Sequence, residues 1–459
     1  MNMHDRGETV FCVAAALTCT LTGVVSAQER VTLEEAIARA VQRSARLAEV
    51  NARRAGAEAG EFGAAAARMP VVSVAGGYTR TNHVEEFGIA LPGQPLRLIY
   101  PDVPDNIRSR LDLQWPIYTG GRTAALEAVA RAEKNALTED LEALLADLRL
   151  EVTRAFWAAV TARETERVVS RAVQRMDVHV AALRVRLEQG LIPPNEVTSA
   201  EAQRSRQHLL AIEARNNRLV SDADLRRLIG GSGDLVPAAD LGTATFLKGT
   251  GTSPSENRPE NAPVPAEKVA VPLEKVAVTQ RAELRGFERR LEASRAVEEG
   301  VRAASKPQVA AVAGLDYARP NPRIFPRAAR WEDSWDVGVN VAWTLWDGGR
   351  RKAEQAEAAA ATRAVRARMT ELERQIAFEV QQRELELDSS RAAITAAEDG
   401  VRSALETQRV LGERYRAGVA TSTDVLDAEG ALLQAELERT RALANQHLAT
   451  ARLARAAGR

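Results

Sequence analysis

Two segments of this chain alternate apolar and polar side chains and then change period. In the first, Leu111, Leu113, Trp115 and Ile117 interleave with Asp112, Gln114 and Tyr118; in the second, Val337, Val339, Val341, Trp343 and Leu345 interleave with Asn340, Ala342 and Thr344. A period of two is that of a strand with unlike faces. Each segment breaks at a glycine pair, Gly120-Gly121 or Gly348-Gly349, followed by arginine, and becomes a long helical pattern. From Arg122 to Gln189 there is neither glycine nor proline. Leu137, Leu141, Leu144 and Leu148 step by four and three, as do Val169, Val173, Met176, Val180, Leu183 and Leu187. This is coiled-coil spacing, sustained over about 100 Å at the α-helical rise.

The two segments are copies. Trp115 and Trp343 lie 228 positions apart, and the same offset relates Arg122 to Arg350, Glu151 to Glu379, Gly190 to Gly418, Glu201 to Glu429 and Gly230 to Gly458. Register held over such a span is an internal duplication. The expected organisation is a first repeat over 28–230, a linker over 231–270 and a second repeat over 271–459.

Within the first repeat, Thr32 and Glu35 form a capping-box pattern that opens a helix reaching about Arg68, and Pro70 stops it. A strand from Val71 to Tyr78 and the motif strand make a pair at about 70–118, joined by a long loop holding Pro92, Pro95, Pro101 and Pro104. Gly190 ends the long helix, Pro193 and Pro194 forbid its continuation, and Asn195 is the expected cap of a further helix running to Ile229. The helices before the strands and after the 190–196 turn together match the length of the unbroken one, so two short helices stacked end to end can lie beside it. The second repeat repeats this plan, with a strand pair at about 307–346 and a turn at 418–424.

Composition removes several function classes. Lys+Arg and Asp+Glu both number 62, so no basic field exists to hold a nucleic acid. Residues 1–27 read as a secretory signal: Arg6 precedes an apolar run, and Val25-Ser26-Ala27 fits a cleavage site, with an uncleaved anchor as the alternative. Both cysteines, Cys12 and Cys19, fall inside it, and Cys19 is a poor match to a lipidation site. His4, His83, His179, His208 and His447 show no metal-ligand spacing, and no nucleophile and base arrangement stands out, so neither an enzyme nor a cofactor is expected.

No later segment offers the roughly 18 apolar residues of a membrane helix, so any membrane insertion is by strands. Trp115, Trp331, Trp335, Trp343 and Trp346 gather in or beside the strands, with Tyr78, Tyr118 and Tyr317 nearby. Aromatic residues with a polar edge collect at membrane interfaces, although ordinary strand packing also favours them. Four strands cannot close a membrane barrel, so several chains must share one.

With its twin halves, the aromatic-to-Gly-Gly-Arg junctions and Arg414-Tyr415 before Gly418 and Thr423-Asp424-Val425-Leu426-Asp427, the chain resembles the TolC-type outer-membrane efflux proteins. The resemblance implies a fold that is mainly α with a small β part. It further implies a homotrimer whose twelve strands form a barrel in outer-membrane lipid, continued by an α-helical barrel in the periplasm. The implied function is a passive exit duct of a tripartite efflux or type I secretion system, working with a periplasmic adaptor and an inner-membrane pump. A periplasmic adaptor or a structural coiled-coil envelope protein is the rival. By the resemblance Asp424 and Asp427 ring the closed periplasmic entrance, Tyr415 belongs to a latch, Glu196 is its acidic counterpart, and Gly190 and Gly418 form the tips. The latch arginine of the family is replaced by Ala420. The residues themselves also allow Asp424 and Asp427 simply to complement a helix start. Trp115, Tyr118, Trp343 and Trp346 are the expected aromatic girdle, and Gly120, Gly121, Gly348 and Gly349 the strand-to-helix swivel.

Overall fold

The structure is a computed structural model that describes residues 29–90, 92–93, 95–230, 235–239 and 280–458. The expected signal segment with both cysteines, and nearly all of the linker, lie outside the described residues. The chain runs β1 (Glu29–Val31), α1 (Leu33–Arg43), α2 (Ala45–Ala66), β2 (Val71–Arg80), β3 (Phe87–Ile89), β4 (Arg97–Tyr100) and β5 (Asp105–Tyr118). It continues through α3 (Arg122–Glu188), α4 (Pro194–Ile229), β6 (Leu235–Pro237), α5 (Ala282–Ala303), β7 (Gln308–Arg319), β8 (Glu332–Ala342), α6 (Arg350–Arg416) and α7 (Ser422–Ala456).

The two long helices, α3 and α6, are 67 residues each, so each spans about 100 Å. Shorter helices flank them: α1, α2 and α4 lie along α3, and α5 and α7 lie along α6. Helix α3 also touches α5 and α7, which binds the repeats into one body. Its heptad side chains supply two cores. Near the middle, Leu148, Val152, Phe156 and Val160 pack with Val31, Leu47, Leu225 and Ile229. Towards the far end, Met176, Val180 and Leu183 pack with Val197, Ala200 and Leu426.

One helix was expected from Thr32 to about Arg68, and two are found. The capping box at Thr32 forms, with Glu35 N–H donating to the Thr32 hydroxyl at 3.2 Å and Thr32 N–H to the Glu35 carboxylate at 3.0 Å. Ser44 then takes extended backbone angles, and its hydroxyl accepts from Leu47 N–H at 3.3 Å. A serine that caps a new helix competes with continuing the old one.

A four-stranded antiparallel sheet stands at the end where the long helices begin, in the order β2-β5-β7-β8. The proline-rich loop between β2 and β5 contains the short β3–β4 hairpin. A small parallel ribbon, β1 with β6, fastens the start of the first repeat beside α3 and α4.

Candidate functional site

Cross-strand partners share a face, so the register sorts the sheet into two surfaces. Val72, Val74 and Tyr78 of β2 lie level with Leu113, Leu111 and Ile107 of β5. Leu111, Leu113 and Trp115 lie level with Leu315, Ala313 and Ala311 of β7, and these meet Trp335, Val337 and Val339 of β8. This face is apolar across all four strands and open: Val74 is 73% and Val337 73% exposed. An apolar surface so large and uncovered is a lipid or partner contact.

The opposite face is charged. Arg110 Nε donates to Asp112 at 2.7 Å, its Nη2 reaches Asp336 at 3.2 Å, and its Nη1 pairs with Asp316. Arg108 Nε donates to the other Asp316 oxygen at 2.6 Å. Asp316 is only 1% exposed under the two guanidinium groups. Gly314 makes room for this cluster, since an added Cβ would overlap Arg110 and stand 2.9 Å from Asp336. Asp112 was expected on this polar face; the arginines and their partners on β7 and β8 were not. They become visible only through pairings that join residues more than 200 positions apart.

Tyr118 was expected on the polar face and is not there. The register slips between Pro116 and Tyr118, placing Tyr118 opposite Val309, which pairs with Val341 on the apolar side. A bulge adds one residue and re-aims the side chains that follow it, so Tyr118 joins Trp115 on the lipid-type face. The second motif strand also ends earlier than expected. Strand β8 stops at Ala342, and Trp343, Leu345 and Trp346 follow it, all more than half exposed.

The indoles of Trp115 and Trp343 have partners that sequence pattern does not reveal. Trp115 Nε1–H donates to the Arg68 carbonyl at 3.2 Å and Trp343 Nε1–H to the Ser305 carbonyl at 3.1 Å. Both acceptors lie just past the end of a helix, α2 or α5, where carbonyls lack intrahelical donors. A second aromatic group occupies the other end of the sheet: Tyr78, Tyr317, Trp331 and Trp335, with Tyr317 and Trp331 stacked at 4.9 Å. Trp335 and Trp343 are eight residues apart along the chain, or about 26 Å at the strand rise. A tilted strand of that length matches an apolar band between two aromatic girdles.

At the junctions, Gly120 and Gly348 both have φ of +69°, and Gly121 and Gly349 have φ of +100° and +92°. Two successive left-handed residues turn the chain from sheet into helix, a conformation open to glycine at little cost. Gly121 and Gly349 are the N-cap residues of α3 and α6.

At the far end, Gly190 and Gly418 also have positive φ, +69° and +74°, and close α3 and α6. Pro193, not Asn195, is the N-cap of α4, with Pro194 as first helical residue. Proline's fixed φ and missing N–H suit that first position, which leaves Asn195 inside the helix. At the equivalent turn Thr421 caps α7 in a full capping box. Asp424 accepts from Thr421 N–H at 2.8 Å and from its hydroxyl at 2.8 Å, while Asp424 N–H donates to the Thr421 hydroxyl at 3.2 Å. The backbone bond and then the hydroxyl bond from Thr421 hold the Asp424 carboxyl below its ordinary range. Asp427, one turn on, is exposed on the same side of α7. Tyr415 meets α3: Arg186 lies 4.6 Å above its ring and His179 6.0 Å beside it. The Tyr415 hydroxyl is buried with no hydrogen-bond partner among the described residues. Glu196 is partly buried in the first turn of α4.

One tip residue beyond the expected set stands out. Glu429 is 7% exposed, accepts from Arg175 at 2.9 Å and from Gln408 at 2.8 Å, and so ties α7 to both long helices. Its repeat counterpart Glu201 pairs with Arg184, and the glutamate kept at both equivalent positions is the sequence signal that could have singled it out. Among the described residues no cluster of His, Cys, Asp or Glu is grouped to hold a metal, and no helix is long and apolar enough to cross a membrane.

Over residues 36–231 and 275–459 the chain matches the family described as Outer membrane efflux protein. The chain belongs to that family. As an outer membrane efflux protein it is an outer-membrane protein that extends into the periplasm, and its two-repeat helical fold is that of TolC-type channels. Solved structures share the fold. CusC superposes with a TM-score of 0.76 at 16% identity, covering 93% of this chain and 92% of that one. VceC of Vibrio cholerae gives 0.73 at 20% identity over 93% and 96%. The open-state MtrE outer membrane channel of Neisseria gonorrhoeae gives 0.72 at 17% over 93% and 88%. No curated protein sequence matches the chain.

Proposed function

We propose that three copies of this efflux protein join their sheets into one twelve-stranded barrel and act as the passive exit duct of a tripartite efflux or type I secretion machine. The observation that carries this reading is a sheet with a lipid-type face, a charged opposite face and two unpaired edges, β2 and β8. Unpaired backbone groups cost several kcal/mol each in hydrocarbon, so edges of this kind survive only when sister strands pair with them. A closed ring turns the apolar faces to lipid and the Arg110 cluster to water.

The tips are the docking end for a periplasmic adaptor, behind which an inner-membrane pump stands. Leu191 and Val419, repeat counterparts at the two turns, are 68% and 63% exposed and offer apolar anchors. With Ala420 in place of the latch arginine, resting closure relies on packing. Tyr415, Leu187 and Ile192 cover the apolar cluster of Met176, Val180 and Leu183. Asp424 serves as a cap, and threefold repetition also brings it and Asp427 towards the axis of the entrance.

The experiment is twofold. Unheated gels of the protein in mild detergent should show a trimer that heat dissolves, and planar bilayers should show ion conductance. A monomer that fractionates with soluble proteins and conducts nothing would overturn the reading.

A further inference from the structure

Segment 320–331 joins β7 to β8 at the end remote from the helices; its first part, 320–327, folds onto the charged face of the sheet, while Trp331 stacks on Tyr317 at the apolar side. Asn321 is 1% exposed. Its side-chain amide donates to the Glu332 carbonyl and the Ser334 hydroxyl, both at 3.0 Å, and its oxygen accepts from Arg323 N–H at 2.9 Å. Arg323 donates to the Trp335 carbonyl at 3.1 Å and pairs with Asp336 at 2.9 Å. Ser334 and Asp336 both belong to the charged face, level with Asp316 and Gly314. The Asp336 carboxylate is therefore shared between the wall, through Arg110, and the loop, through Arg323.

From that anchor the segment reaches across the sheet. Pro320, Pro322 and Arg327 enclose a cavity of about 430 Å³ with Gly77, Thr79 and Arg108 of the far strands. Arg327 donates to the Tyr100 hydroxyl at 3.0 Å and lies over its ring, so the loop between β2 and β5 holds it from the other side. A loop bonded at both ends across the water-facing surface occupies lumen.

We infer that segment 320–327 of the β7–β8 connection is an exit sieve. One strap per chain, pinned by the Arg323–Asp336 pair and by Asn321, narrows the outer mouth of the duct and sets the largest solute that passes. The inference rests on the barrel reading above. Charge-assisted bonds such as Arg323 to Asp336 are among the stronger ones, and this one is backed by the Asn321 bonds and by Arg327 on Tyr100.

The test uses the full chain in the outer membrane of intact cells. A cysteine replaces Gln114, a residue on the charged face nearer the helices and level with Val312. The parent chain, whose only cysteines are Cys12 and Cys19, is the blank. A small charged maleimide and polymer-linked maleimides of increasing mass are added from outside. With the strap intact, the small reagent should label Gln114→Cys and the large ones should not. Arg323→Ala should raise labelling by the large reagents about tenfold, the population shift expected when one charge-assisted bond is lost. Asn321→Ala, which frees the other anchor without altering charge, should do the same. Unheated gels report whether each variant keeps its trimer. Large reagents that label the intact-strap protein as fast as the small one would overturn the sieve and leave the barrel standing. No change in either variant would overturn it equally. Failure of even the small reagent to reach Gln114→Cys in a folded trimer would instead overturn the barrel reading.

Discussion

Gly120 and Gly348 occupy equivalent places in the two repeats and share a φ of +69°, but their surroundings differ. A Cβ added at Gly120 would stand 2.8 Å from the Ala303 carbonyl oxygen and 2.8 Å from Lys306 Cβ, whereas one added at Gly348 meets nothing within 4 Å. Alanine at either site forces an L side chain into left-handed backbone, at about 1–2 kcal/mol. At Gly120 the overlap with fixed backbone adds about 1–3 kcal/mol, the range for overpacking. Gly348→Ala should therefore cost about 1–2 kcal/mol per chain and Gly120→Ala about 2–5 kcal/mol. In a trimer the difference counts three times. The assay is a heat series on unheated-gel samples, scoring the temperature at which trimer gives way to monomer for each variant. Gly120→Ala should dissociate well below Gly348→Ala, with the parent highest. Equal losses, or a larger loss at Gly348, would refute the steric reasoning and show that another chain fills the space beside Gly348.

Three further outcomes follow from the geometry. Burial works to raise the Glu283 carboxyl, but hydrogen bonds from Arg455 and Arg281 outweigh it and hold it at about 2. A lowered folded value stabilises above the unfolded value of about 4.3 and is lost as pH falls from there towards 2; roughly 3 kcal/mol per chain is at stake. Trimer melting across that window should flatten in Glu283→Gln, and an unchanged acid profile would contradict the assignment. Tyr415→Phe removes a hydroxyl that has no hydrogen-bond partner among the described residues. Thermal stability should stay within about 0.5 kcal/mol and resting conductance should not change, whereas Tyr415→Ala should raise conductance; a Phe variant as leaky as the Ala variant would reveal a latch bond. Asp427→Asn leaves the Thr421–Asp424 capping box untouched and should still weaken block of conductance by divalent cations. Persistent full block would remove Asp427 from the proposed acidic ring.

The features legible in the sequence are those carried by local period and by glycine. The glycine pairs at 120–121 and 348–349 mark the change from sheet to helix, and they hold a left-handed backbone that glycine adopts at little cost. The heptad leucines and valines of α3 mark its buried stripe. The break at Ser44 was hidden because a capping serine looks like any polar position in a helical pattern. Tyr118 changed face through one inserted residue, which alternation alone cannot register. The Arg110 cluster and the indole bonds of Trp115 and Trp343 depend on which distant segments are brought together, and each of those residues taken singly reads as an ordinary strand position. The aromatic residues were grouped from the sequence, but their division into two ends of the sheet, with Trp331 stacked on Tyr317 at the outer one, depends on the strand pairings.

Helix α3 buries eighteen of its residues within the chain and α6 only six, although the two have the same length. Phe378 and Leu385 on α6 are 66% and 65% exposed, side chains too costly to leave in water without a purpose. In the trimer proposed above, the first long helix is the keel of its own subunit and the second keeps a flank free to meet a neighbouring copy. Lesions in α3 should therefore deplete the protein itself, while lesions on the bare flank of α6 should leave well-folded subunits that fail to find one another.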